Sequence, residues 1–239
     1  MTGLPGTLTT LLCDADGTLF PSEEPAYAAS VDVTNRFLAG LGAQRSFAAE
    51  ELQRMTNGKN FRGAATELAA ARGQEVDRAE LDAWVTEEKD VVTTHLRQVL
   101  RPDPDVREPL HRLSRRFRLA AVTSSACSRL AACLEVTELA HLFAAERRFS
   151  AEDSLPAPTS TPDPAVYLHA GGSLAVGPAE ALAVEDSVNG ARAAVAAGYP
   201  TVGILQFVPP ADRDGRDAAL REAGVATVVA SWTELEGLL

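Results

Sequence analysis

Hydrophobic and polar positions fall into two regimes along this chain. Short apolar runs occupy residues 8–13, 118–123, 181–185, 201–204 and 225–229. Each holds four to six residues, a length that favours a buried strand over a helix. Between the later runs, helix-like patterns are expected at 106–116, 125–134, 164–170, 188–197 and 213–223. A last helix opens with Ser231-Trp-Thr-Glu234, a capping-box spacing in which each side chain can satisfy an orphan backbone N–H. Strands alternating with helices imply a parallel sheet covered on both faces. From residue 24 to about 97 the β-rich runs disappear. Helical stretches are expected there at 24–38, 61–72 and 77–100, separated by Gly40 and Gly42, Asn57-Gly58 and Gly73. Two prolines in Arg101-Pro-Asp-Pro-Asp105 read as a stiff strap leaving this helical segment. The expectation is an α/β fold: a Rossmann-like parallel-sheet core from residues 1–20 and 101–239, with an inserted α-helical domain at 21–100.

Composition narrows the function. The chain has 239 residues, 22 Lys+Arg against 33 Asp+Glu and a formal charge of −11. Such an acidic chain repels a polyanion, so nucleic acid is excluded as the main ligand. No stretch approaches the roughly 18 apolar residues of a membrane span, and the first residues carry no positive region. Cys13, Cys127 and Cys133 are odd in number and lack metal-knuckle spacing. A cytoplasmic protein, monomeric or homodimeric, is expected. The four histidines are scattered without ligand spacing, and Trp84 and Trp232 need nothing beyond burial.

Chemistry concentrates at three expected strand ends, where parallel sheets collect reactive groups. Cys13-Asp14-Ala15-Asp16-Gly17-Thr18 places two carboxylates two apart before a turn-permitting glycine. Val122-Thr123-Ser124-Ser125 sets hydroxyls at a strand end opening a helix, where free N–H groups favour an anion. Val184-Glu185-Asp186-Ser187 places an acidic pair at a third end. Carboxylates converging beside hydroxyl and N–H donors describe Mg²⁺ holding a phosphate.

These motifs carry a resemblance. Asp14-Ala-Asp-Gly-Thr-Leu19 is similar to the nucleophile motif of the haloacid dehalogenase superfamily, and Val122-Thr-Ser-Ser125 to its second motif. The run from Val184 to Gly198 is similar to its fourth motif. The chain most resembles the sugar-phosphatase and β-phosphoglucomutase-like branch. The resemblance implies a nucleophilic Asp14 and an Asp16 that protonates the leaving oxygen and then activates water. It also implies a Mg²⁺ held by Asp14, Asp16 and Asp186 with Glu185 in support. Thr123 and the Ser124 N–H would hold phosphoryl oxygens, with Ala15, Asp16 and Thr161 at the phosphate position. The helical segment would act as a cap that limits the substrate to a small phosphorylated molecule. Within it, Asn57-Gly58-Lys59-Asn60-Phe61-Arg62 is the candidate specificity loop, with Gly58, Lys59 and Arg62 facing the substrate.

One position departs from the family pattern. Its third motif offers a lysine, but this chain reads Ser160-Thr161-Pro162-Asp163-Pro164. Unit charges 4 Å apart at an effective dielectric near 20 interact by about 4 kcal/mol, or roughly a thousandfold in rate. Arg147, Arg148 or Lys59 are the cations the sequence offers as a substitute. Two alternatives to a phosphatase follow: an impaired relative that binds a phosphorylated ligand, and a phosphomutase.

Overall fold

In a computed structural model the described residues are 7–56 and 59–239. Six strands form one parallel sheet in the order β3-β2-β1-β4-β5-β6: β1 (Thr10–Cys13), β2 (Arg118–Thr123), β3 (Arg148–Ser150), β4 (Ala181–Glu185), β5 (Thr201–Ile204) and β6 (Thr227–Val229). The helices among the described residues are α1 (Glu23–Gly40), α2 (Ala49–Thr56), α3 (Phe61–Ala70), α4 (Arg78–Val99), α5 (Pro104–Leu113), α6 (Cys127–Val136), α7 (Ala165–Leu174), α8 (Val188–Ala196), α9 (Arg213–Glu222) and α10 (Trp232–Leu238).

The period of two along a strand sends successive side chains to opposite faces, and here both faces are buried. Leu11 and Cys13 of β1, Leu119 and Ala121 of β2, and Leu182 and Val184 of β4 join one apolar cluster with residues of α5 and α10. The intervening Leu12, Ala120, Val122 and Ala183 join the other, against α7 and α8. This explains why the strands read as continuous apolar runs.

The helical segment has its own cluster, in which Phe37 meets Phe61 and Trp84 edge to face. Helix α4 belongs to both regions. Its Leu81 packs in the helical cluster, whereas Val92 and Leu96 pack in the sheet core. Glu88 lies between them.

Several expectations need correcting. Asp103 and Pro104 are not a strap: Asp103 Oδ1 accepts from the Asp105 N–H and caps α5, with Pro104 in the first turn, where its missing N–H costs nothing. The helix after β2 begins at Cys127 rather than Ser125, and its Cys127 N–H is capped from a distance by Asp153. Helix α2 and strand β3 were not expected. The first is short and largely polar, and the second has three residues. The expected capping box forms, with Ser231 Oγ accepting from the Glu234 N–H. The Glu234 carboxylate, however, takes the N–H of Ala230.

Candidate active site

The strand order reverses at β1: the chain runs outward through β2 and β3, then returns to place β4 on β1's other side. Ligands bind at such a switch point, beyond the carboxyl ends of the strands. Cys13 is in register with both Ala121 and Val184, so Asp14 emerges between Thr123 and the Glu185-Asp186 pair. The Asp14 N–H donates to Val184 O at 2.9 Å, locking the exit of β1 to β4. Gly17 then turns the chain at φ +83°, a conformation that favours glycine. A Cβ there would also collide with the Asp186 carboxylate. The turn is tied down by Thr18: its hydroxyl donates to Asp186 Oδ1 at 3.2 Å, and its carbonyl accepts from Trp232 Nε1 at 2.9 Å.

Asp16 is held by hydroxyls. Ser22 Oγ donates to Oδ1 at 2.5 Å, and Ser125 Oγ to Oδ2 at 2.7 Å, with Thr123 Oγ1 at 3.5 Å from the same oxygen. Thr123 Oγ1 in turn accepts from the Ser125 N–H, fixing the loop after β2. Glu185 is buried, accepting from Tyr167 Oη at 2.5 Å and Ser187 Oγ at 3.3 Å. Gly190, in the first turn of α8, leaves room for this carboxylate, because a Cβ there would overlap it.

Oxygens of Asp14, Glu185 and Asp186 all lie within 4.8 Å of one another. Burial pushes the Asp14 carboxyl well above the ordinary range, and repulsion from Glu185, Asp186 and Asp16 adds to this. Glu185 and Asp186 are raised chiefly by burial as well. Arg216 of α9 opposes the rise at Asp186, donating to its carbonyl at 2.7 Å with the carboxylate 3.5 Å away. An all-oxygen set under mutual repulsion, with Gly17 leaving room for the Asp186 carboxylate, fits a hard divalent cation.

Thr161 is buried where the family pattern has lysine, its hydroxyl 3.1 Å from Ser124 Oγ. Neither expected arginine reaches the site. Arg148 donates to Phe143 O and Ala140 O, and Arg147 ends a short 3-10 turn; both lie outside the cleft lining. Lys59 does line the cleft, paired with Glu67. Arg62, expected to face the substrate, has its guanidinium paired with Glu152 (2.6 Å) and Asp82 (2.7 Å) and lies outside the lining. Gly58 falls outside the described residues.

Several residues in the site escaped the sequence reading. Asn60 Nδ2 donates to Ser124 O (3.1 Å) and Thr159 O (2.8 Å), and its backbone N–H donates to Ser160 Oγ. One residue at the start of α3 thereby ties the helical segment to the loops carrying Ser124 and Thr161. Its Oδ1 also caps α3 through the Gly63 N–H, and the sequence Asn-Phe-Arg-Gly before a helix was the signal available. Arg129 and Glu88 also line the cleft. Ser22, Tyr167 and Arg216 carried no sequence signal for a role here.

The cleft has about 100 Å³ open to the centre of a water-sized sphere, room for several waters or a small molecule. Asp14, Asp16, Thr123, Ser124 and Thr161 line its sheet end, and α1–α4 close the other.

The model of the haloacid dehalogenase-like hydrolases, a hydrolase family, matches residues 8–198. A family hydrolase from Deinococcus radiodurans, solved with bound phosphate and sodium, is 25% identical with a TM-score of 0.63, covering 98% of each chain. A conserved haloacid dehalogenase-like protein of unknown function from Agrobacterium tumefaciens is 24% identical (TM-score 0.68, 97% of each chain). A mutant of CbbY from Rhodobacter sphaeroides, in complex with xylulose-1,5-bisphosphate, is 21% identical (TM-score 0.71) and matches over 95% of this chain and 96% of its own. No curated protein matches.

Proposed function

The chain belongs to the haloacid dehalogenase-like hydrolases, and from that premise we propose that it is a Mg²⁺-dependent phosphatase of small phosphorylated metabolites, a sugar phosphate or similar. The observation that carries this reading is the gathering of Asp14, Glu185 and Asp186 within 4.8 Å at the switch point, beside an Asp16 held by three hydroxyls. The phosphate in the Deinococcus relative is consistent with it.

In this reading an Asp14 oxygen attacks phosphorus, forming an aspartyl-phosphate as the bond from phosphorus to the leaving oxygen breaks. Asp16 gives that oxygen its proton. It then takes a proton from water, whose oxygen attacks the same phosphorus; the bond to Asp14 breaks and inorganic phosphate leaves. Ser22 and Ser125 aim Asp16 for both transfers. Thr123 and the Ser124 N–H hold phosphoryl oxygens near Ala15, Asp16 and Thr161. Mg²⁺, held by Asp14, the Asp16 carbonyl and Asp186 with Glu185 in support, would supply positive charge against the phosphoryl oxygens.

Thr161, a neutral hydroxyl in the lysine's place, favours a second reading, an impaired relative that binds a phosphorylated ligand. One experiment separates them: phosphate release from a panel of sugar and polyol phosphates with Mg²⁺, for the parent, Asp14→Asn and Thr161→Lys. The phosphatase reading expects turnover by the parent and at least a thousandfold loss in Asp14→Asn. Intact turnover in Asp14→Asn removes the nucleophile assignment. An inactive parent beside an active Thr161→Lys establishes the impaired reading.

A further inference from the structure

At the helical end of the cleft, Arg129 of α6 and Glu88 of α4 form an ion pair, Nη2 to Oε2 at 2.5 Å, with side chains only 9% and 7% exposed. Among the described residues Arg129 Nε is buried and has no hydrogen-bond partner. A buried donor left unpaired costs about 1–3 kcal/mol, so a group of this kind calls for an explanation, a bound water, ion or ligand among them. Both residues line the cleft. Burial works against the charge on Arg129, but Glu88 and Asp16 outweigh it and keep the guanidinium protonated. Arg129 starts six residues after Thr123, on the sheet side, whereas Glu88 comes from the helical segment. The pair therefore spans the two regions.

The surroundings bear on what could complete it. Tyr27 Oη and Thr56 Oγ1 are 3.0 Å apart, and Ser30 and Thr34 add two more hydroxyls to the same lining. Asp16 adds negative charge, and Lys59 is matched by Glu67. A carboxylate on the substrate would meet Glu88 and Asp16, opposed by one guanidinium already paired. A hydroxyl would offer a complementary set, able to accept from Arg129 Nε, once a small side-chain shift opens it to the cleft, while donating to a Glu88 oxygen. A site built to hydrogen-bond a hydroxyl rejects the analogue that cannot reproduce the bond.

Resting on the phosphatase reading, we propose that Arg129 and Glu88 are a specificity-determining pair that selects a hydroxyl on the leaving group of the substrate and rejects a carboxylate at that position. The enzyme would thus take polyol or sugar phosphates in preference to phosphorylated hydroxy acids.

The test uses matched ligands differing only in a terminal CH₂OH or COO⁻: glycerol 3-phosphate with 3-phosphoglycerate, and the corresponding four- and six-carbon alditol and aldonate phosphates. Binding is measured by calorimetry with Mg²⁺ on Asp14→Asn, so that no turnover is needed, and kcat/KM on the parent. The expected result is at least tenfold tighter binding of the alcohol member at one or more chain lengths. Glu88→Gln, which keeps an oxygen for Arg129 but removes the negative charge, should shrink that ratio at least tenfold. Replacing both residues by apolar ones, Arg129→Met with Glu88→Leu, leaves no unpaired buried charge and should bring the ratio to within threefold. Circular dichroism and melting confirm that each variant is folded. A parent that prefers the acid or shows no preference at all three lengths overturns the proposal, as does a Glu88→Gln ratio unchanged within threefold. Failure of the phosphatase reading shows separately, as a parent that releases no phosphate from any of these esters.

Discussion

The two ends of the cleft are built on opposite terms. At the sheet end, Asp16 has three hydroxyl neighbours, Glu185 has two hydroxyl donors and Asp186 meets Thr18 and Arg216. At the helical end the buried Arg129 Nε has no partner among the described residues, and hydroxyls and acidic groups from three other helices line the same cleft. The first end is built on loops leaving adjacent parallel strands, whose exits are tied together by backbone hydrogen bonds. The second is assembled from α1, α2, α4 and α6 and holds a donor in reserve. In the proposed reading this is a division of labour: the groups assigned to phosphorus are held by neighbours, and the groups assigned to the rest of the molecule are left to be completed by it.

The contrast can be attacked from its rigid side first. Gly17→Ala forces a Cβ into the Asp186 carboxylate at a positive φ. It should cost about 3 kcal/mol of stability or more, read by urea unfolding, and abolish Mg²⁺ binding by calorimetry. Withdrawing Mg²⁺ is next in size. If the cation binds the native carboxylate cluster, a concentration of 100 times its Kd adds about 2.7 kcal/mol. The melting temperature should therefore rise with Mg²⁺ and fall back with chelator, and Asp186→Asn should blunt the response. An unchanged melting temperature across the titration would separate the cluster from metal binding.

Smaller effects test the junction and the edge of the locked end. Asn60→Ala removes the donors to Ser124 O and Thr159 O and the cap of α3. A loss of about tenfold in kcat/KM is expected, with earlier proteolytic cleavage in the helical segment than in the sheet. Equal protease sensitivity of both regions would deny Asn60 its bridging role. Tyr167→Phe deletes one donor to Glu185 and should destabilise by about 1 kcal/mol. That should leave selectivity between alcohol and acid ligands untouched, since it acts at the opposite end of the cleft.

Legibility in the sequence followed the same boundary. Strands 118–123, 181–185 and 201–204 were readable because short apolar runs between turns admit little else, and the observed β2, β4 and β5 have those bounds. Asp14, Asp16, Thr123, Glu185 and Asp186 were readable as candidates because each lies at or just beyond the carboxyl end of a strand. Strand β3 was too short to show a pattern, and α2 too polar. The partners of Arg62 were not legible, because Glu152 and Asp82 lie 90 and 20 positions away. Arg129 and Glu88 carry no signal in the sequence, since nothing local tells a paired buried charge from a solvated one.

By itself, the order of residues determined what is local: strand length from apolar runs, the glycine turn after Asp16, the caps at Asn60 and Ser231, and the acidic character of three strand exits. Tertiary structure alone decided which of those exits share a crevice, which cations reach it, and which buried groups lack a partner. The reason is physical. Hydrogen-bond geometry within a turn or strand is set by neighbours in the chain, whereas desolvation and charge pairing depend on atoms that packing brings from dozens of residues away.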